Sequence, residues 1–247
     1  KVFYFFLYFI HLCIGFNSLL YKLKNPVLAS SSLVVGKKYI STLSKININP
    51  NLSRKIIHIS CAPFFIMTWP IYNKFFPQYW GSSVPFISSI YLIFKKNNLK
   101  KVISRSGNSN ELLKGPLIYT IILTYITFYY WLHNVIGILT MLQLSVGDGF
   151  ADIIGRKYGK HKWFFNNKKS VEGTIGFCLS SFFSSLFFIH LLNYFGIYFK
   201  INIYKLFLLS VFSSLIELIP YIDDNISIPL CIIIFNKFLL KTNSNLL

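Results

Sequence analysis

Apolar runs of membrane length recur along almost the whole of this 247-residue chain, and they constrain its fold more than any other feature. After a first run at residues 2 to 20, others lie at about 56 to 72, 75 to 94, 116 to 133, 135 to 154, 174 to 199, 203 to 222 and 226 to 240. A helix needs roughly 20 apolar residues to cross a bilayer, and several of the runs approach that length. Hydrophobic residues make up 54% of the chain and charged residues 13%, so a soluble fold would lack the polar surface to cover them. The expected fold is all-α: a polytopic integral membrane protein with about seven transmembrane helices after an N-terminal hydrophobic leader. Pro63, Pro85, Gly137 and Pro220 fall inside runs, which membrane helices tolerate where neighbours satisfy the freed backbone groups.

Residues 1 to 50 read differently from the rest. The chain opens on Lys1 rather than Met, so its start is expected to have been trimmed. The apolar run at 2 to 20 precedes a stretch rich in Lys, Ser and Asn and free of acids, the order of a secretory signal followed by a plastid-type transit segment. A plain first transmembrane helix is an equal alternative. The expected division is a targeting region at 1 to 50 and a polytopic domain at 51 to 247.

Basic residues outnumber acids 25 to 7, for a net charge of +18. Nucleic acid is excluded as a partner because no folded basic module carries this charge. In a membrane protein the excess belongs to loops held on one side. Arg54 and Lys55 precede one run, residues 95 to 114 carry Lys95, Lys96, Lys100, Lys101, Arg105 and Lys114, and residues 155 to 173 carry Arg156, Lys157, Lys160, Lys162, Lys168 and Lys169. The alternate connections are poor in charge, so hairpin topology gathers the polar segments on one face. Cys13, Cys61, Cys178 and Cys231 are dispersed through apolar runs and read as small buried hydrophobes.

Against that charge the seven acids are scarce: Glu111, Asp148, Asp152, Glu172, Glu217, Asp223 and Asp224. Asp148 and Asp152 are four apart in Gly147-Asp148-Gly149-Phe150-Ala151-Asp152 and share a helix face. Two like charges so placed repel unless a cation joins them. Mg²⁺ suits oxygen ligands and uses one or two carboxylates together with substrate phosphates. Arg156, Lys157, Lys168 and Lys169 follow and could neutralise a polyphosphate. The competing reading pairs the two aspartates with Arg156 and Lys157 on their own helix. Acids at the membrane edge are costly when unpaired and are usually functional, which favours the first reading. Glu111 opens a helix before Pro116, Asp223-Asp224-Asn225 adjoins another, and Glu217 lies two turns before Asp224. Capping and an interhelical hydrogen bond are the structural alternatives for these. P-loop, protein-kinase, zinc and GxSxG patterns are missing from the sequence.

Taken together, these segments resemble the phytol kinase and farnesol kinase group of polyprenol kinases, related to dolichol kinase and other CTP-using membrane enzymes. The resemblance runs from residue 53 to about 230 through Ser53-Arg54-Lys55-Ile56-Ile57-His58, Glu111-Leu112-Leu113-Lys114-Gly115-Pro116-Leu117, Gly147 to Gly159, Asn167-Lys168-Lys169-Ser170-Val171-Glu172-Gly173, and Glu217 with Asp223-Asp224-Asn225. Phe150 is bulkier than the pattern leads one to expect. The resemblance implies transfer of the γ-phosphate of CTP, or of ATP or UTP, to a long isoprenoid alcohol with Mg²⁺. It assigns Asp148 and Asp152 to the metal, with Asp148, Asp152 and Glu172 as catalytic residues. Arg156, Lys157, Lys168, Lys169, Glu111, Lys114, Asp224 and Asn225 complete the nucleotide pocket. A multi-pass protein of a plastid-type (apicoplast-like) membrane is expected, with the endoplasmic reticulum as the alternative. A cytidylyltransferase making a CDP-lipid, and more remotely a transporter, are the competing functions.

Overall fold

The computed structural model describes residues 25 to 45, 50 to 72, 76 to 103, 113 to 132 and 134 to 235. The leader at 2 to 20 and Glu111 lie outside the described residues. The chain is mostly helical: α1 (Asn25–Lys45), α2 (Pro50–Thr68), α3 (Pro77–Ile103), α4 (Gly115–Tyr130), α5 (Val135–Leu142), α6 (Asp148–Tyr158), α7 (Val171–Tyr194), α8 (Ile203–Ile216) and α9 (Asp224–Phe235). A 3₁₀ turn, Trp69–Ile71, prolongs α2, and a π-helical segment, Gln143–Gly147, joins α5 to α6. Among the described residues, each apolar run after the leader contains a helix. Two helical stretches among the described residues, Val135–Tyr158 and Val171–Tyr194, are long and apolar enough to cross a membrane.

Local chemistry sets the helix ends. Pro116 occupies the first turn of α4, where its missing N–H costs nothing. The side chains of Asn134, Ser170 and Asn202 accept backbone N–H groups at the starts of α5, α7 and α8. Asp223 does the same for α9 by accepting from Asn225 N at 2.9 Å.

One difference from the all-α expectation is a small antiparallel hairpin, β1 (Lys162–Trp163) with β2 (Asn166–Ser170). It replaces what the lysine run suggested was a plain loop. Asn166 holds it down, donating its side-chain amide to Leu218 O at 2.9 Å, and Trp163 Nε1 donates to Thr174 Oγ1 at 3.0 Å.

The core is built around α5 and the π-helical segment. Every residue from Val135 to Gly147 is buried. A helix apolar all round must be enclosed, and α2, α4, α7, α8 and α9 pack around this one. Trp69 stacks on Trp131 at 4.7 Å and closes one end of the core. The outward surfaces are also apolar: Phe86, Ile90 and Phe94 on α3, Ile121 and Tyr129 on α4, and Leu179, Phe183 and Phe187 on α7 are exposed.

Candidate active site

Pro63 starts the construction of the site. Its ring has no N–H to offer the carbonyl four residues back, which frees Ile59 O inside α2. Ser145, in the π-helical segment, donates its hydroxyl to Ile59 O at 3.1 Å and to His58 O at 2.6 Å. A π-bulge changes the register of a helix, and such bulges are frequent at functional sites. Here it delivers Asp148, the next residue after Gly147, onto α2. Lys55 Nζ lies 3.0 Å from Asp148 Oδ2, and His58 Nε2 lies 3.2 Å from the same oxygen. Lys55 and Asp148 are both buried. Tyr119 of α4 supports His58 from behind, with ring centroids 4.5 Å apart and its hydroxyl donating to His58 O.

Close backbone approach makes this possible. A Cβ on Gly149 would lie 2.1 Å from Ile59 Cγ1, so only glycine lets α6 rest on α2 at this height. Gly149→Ala is expected to cost about 1 to 3 kcal/mol of stability by forcing the helices apart. A melting curve in detergent checks it, and an unchanged midpoint would refute the packing argument. Phe150, one residue on, is exposed, so its bulk displaces nothing in the core.

The second half of the site comes from the hairpin and from α8 and α9. Strand residues alternate in direction, so Lys168 is exposed while Lys169 turns inward. The Lys169 ammonium bonds to Glu217, at the end of α8, and to Asp224 Oδ2 at 2.9 Å, at the start of α9. Burial pushes the Lys169 ammonium down, but the Glu217 and Asp224 carboxylates outweigh it and hold its pKa above the ordinary lysine range. Asp148, Glu217 and Asp224 each present one oxygen, and the three oxygens all lie within 4.8 Å of one another. Three hard oxygen donors from three separate elements fit a divalent cation such as Mg²⁺, and fit zinc or another soft metal poorly.

The sequence-derived residues divide accordingly. Asp152, one turn beyond Asp148, pairs with Arg156 at 2.9 Å and stands 3.9 Å from Lys55, so it shares the Lys55 ammonium with Asp148. The triad of oxygens thus takes Glu217 and Asp224 as partners of Asp148. Glu172 is tied to the connection after α6, accepting from Lys160 N and His161 N and lying 2.7 Å from His161 Nδ1. Lys157 is exposed and sits over the Tyr158 ring at 5.0 Å. Lys114 is exposed at the start of α4. Asn225 reaches back to Asp223 Oδ1 at 2.7 Å. Arg156, Lys157, Lys168 and Lys114 are therefore free of the acid triad and face outward, where a polyphosphate could reach them.

Lys55 and His58 are site residues that the acid-centred reading of the sequence passed over. Their signal was a spacing of three at the start of an apolar helix, which puts both on one face. Glu217 was visible as an acid two turns before Asp224 and as part of the last resembling segment, with an interhelical hydrogen bond as its structural alternative.

The maize protein called probable phytol kinase, chloroplastic, is 34% identical over 209 residues, 79% of this chain and 69% of its own length. Phytol kinase 1, chloroplastic, of Arabidopsis thaliana is 31% identical over 232 residues, covering 88% of this chain and 76% of the relative. Farnesol kinase, chloroplastic, of the same plant is 33% identical over 192 residues, 72% of this chain and 62% of the relative. No family model and no solved structure matches.

Proposed function

The chain belongs to the phytol kinase and farnesol kinase family, and on that premise we propose that it transfers the γ-phosphate of CTP to the hydroxyl of a long-chain isoprenoid alcohol, using Mg²⁺. The observation that carries the reading is the acid triad of Asp148, Glu217 and Asp224, bordered by buried Lys55, by partly buried Lys169 and by outward-facing cations. Phosphoryl transfer requires positioning and charge neutralisation above all. Mg²⁺ held by these carboxylates would neutralise charge on the nucleotide's terminal phosphates. Arg156, Lys157, Lys168 and Lys114 would bind the rest of the polyphosphate from the aqueous side. Lys55 and His58 fix the Asp148 carboxylate, and Asp152, one turn outward and paired with Arg156, would accept the hydroxyl proton. The alcohol oxygen forms its bond to the γ-phosphorus as the bond from that phosphorus to the β–γ bridging oxygen breaks, leaving CDP.

The apolar exteriors of α3, α4 and α7 support a bilayer around the molecule. In this reading α2, α3, α4, the continuous helix Val135–Tyr158, α7, α8 and α9 all span, and the polar segments meet at one face. The names of the relatives support a plastid-type membrane. A membrane-edge site joins a lipid-soluble acceptor to a water-soluble donor. The test is incubation of membranes containing the protein with γ-labelled CTP, ATP or UTP and a panel of prenols. Label in prenyl phosphate, strongest from CTP, is expected. No labelled lipid with any pair would sink the kinase, and release of pyrophosphate with a CDP-lipid product would replace it by a cytidylyltransferase.

A further inference from the structure

Gln143 Oε1, Ser213 Oγ and Ser227 Oγ are fully enclosed and have no hydrogen-bond partner among the described residues. They lie on the three elements that supply the acid triad. The Asp148 N–H donates to Gln143 O, one π-helical turn back. The Glu217 N–H donates to Ser213 O at 3.1 Å, one turn back along α8. Ser227 is three residues, one turn, past Asp224 on α9. Because α8 ends at the triad and α9 begins there, each of these steps leads from the acids into the core. Every carboxylate of the triad therefore has an unsatisfied polar atom one turn beneath it.

The three atoms belong to one layer. Gln143 donates from Nε2 to Ser210 Oγ at 3.0 Å, which holds its Oε1 against α8 as well. Ser210, Ser213 and Glu217 recur at helical spacing along the enclosed side of α8, each at most 3% exposed. α9 packs on both α8 and the π-helical segment, and Ser227 is on its buried side. Close helix packing would account for small side chains here. It does not account for hydroxyls, since alanine or glycine would pack as closely without stranding a polar atom. Buried polar groups in folded proteins are almost always satisfied, by protein or by ordered water.

The donor set selects the ligand. One amide oxygen and two hydroxyls carry no charge, so they suit a neutral hydroxylic molecule rather than an ion. Leu144, Leu209 and Ile228, next to Gln143, Ser210 and Ser227 in sequence, are fully buried, which suits a small one. We propose that water occupies this layer, an internal hydration site one turn beneath Asp148, Glu217 and Asp224. Water there donates to Gln143 Oε1 and bonds the Ser213 and Ser227 hydroxyls, and about three such bonds are usual for a buried water. The polar site then reaches a turn deeper than its charged residues, and the three carboxylates do not face bare hydrocarbon from below. The site depends on the orphaned atoms alone, so it stands apart from the kinase chemistry.

X-ray footprinting reads bound water directly, because a brief pulse turns water into hydroxyl radicals that oxidise the side chains beside it. In the full chain in detergent, oxidation at Leu144, Leu209 or Ile228 is expected to exceed that at the equally buried Ile136 and Ile138 several-fold. It should fall to their level in Gln143→Leu/Ser213→Ala/Ser227→Ala. Melting supplies a second readout with a sign: a dry, unpaired hydroxyl is better removed, whereas one that binds water is missed. Ser213→Ala and Ser227→Ala are each expected to lower the midpoint by about 2 to 4 °C. Ser214→Ala should change it less, since that hydroxyl already donates to Val211 O at 2.7 Å. A raised midpoint in both Ser213→Ala and Ser227→Ala would overturn the site, as would oxidation at Leu144, Leu209 and Ile228 no greater than at Ile136. If the triple variant does not fold, the wild-type footprint and the two single variants still decide.

Discussion

Asp148→Asn is expected to lower kcat/KM for prenol phosphorylation at least about a thousandfold, with the helical fold retained. The substitution preserves shape and removes one charge. That charge is the common partner of Lys55 and His58 on α2 and the member of the acid triad that joins α6 to α8 and α9. An amide oxygen in its place is a poorer ligand for a hard cation and leaves only Glu217 and Asp224 facing the phosphates. Some stability is lost too, because buried Lys55 keeps only Asp152, 3.9 Å away. Activity and melting must therefore be measured on the same detergent-solubilised preparation, with Asp148→Glu as the charge-preserving companion. A folded Asp148→Asn protein with wild-type turnover would remove Asp148 from the chemistry. An unfolded variant would leave Asp148→Glu to decide: residual turnover with a raised Mg²⁺ requirement supports the assignment, and wild-type turnover at wild-type Mg²⁺ opposes it.

Much of this architecture could be read from the residues because apolar periodicity and acid scarcity are local signals. Among the described residues each apolar run after the leader contains a helix, and the polar segments around Asp148, Lys169 and Asp224 do meet. What was not legible depends on register between distant segments. Nothing local indicates that Glu217 approaches Asp148. That approach follows the π-helical offset at Gln143–Gly147 and the point where α8 stops. The hairpin was hidden for a similar reason. Asn167-Lys168-Lys169 has no strand-like apolar alternation, and the pairing is held by Asn166 reaching Leu218, fifty-two residues away. Glu172, which the resemblance assigns a catalytic role, has its oxygens bonded to the connection after α6, a contact that local sequence does not reveal.

Lys169 yields the sharpest distinction between a structural ion pair and a metal site. Its ammonium holds Glu217 and Asp224 together, with Glu217 almost fully enclosed. Lys169→Ala leaves these carboxylates opposed, with Asp148 nearby and Lys55 bonded to Asp148 rather than to them. Breaking a buried pair by removing one partner costs about 3 to 5 kcal/mol, here near the lower figure because Lys169 retains some contact with solvent. A cation that binds the folded state restores stability by mass action, about 2.7 kcal/mol at a hundredfold excess over its dissociation constant. Lys169→Ala is therefore expected to melt well below the wild type in chelator and to recover most of the difference when Mg²⁺ is added. NaCl at matched ionic strength should not substitute, and Lys169→Arg should stay close to the wild type throughout. The wild type should gain less from Mg²⁺, since its lysine already supplies positive charge to two of the three acids. If Lys169→Ala is destabilised but indifferent to divalent cations, the triad is a structural ion-pair network and the metal must be sought elsewhere. If it melts with the wild type in chelator, the ammonium was never holding the acids together.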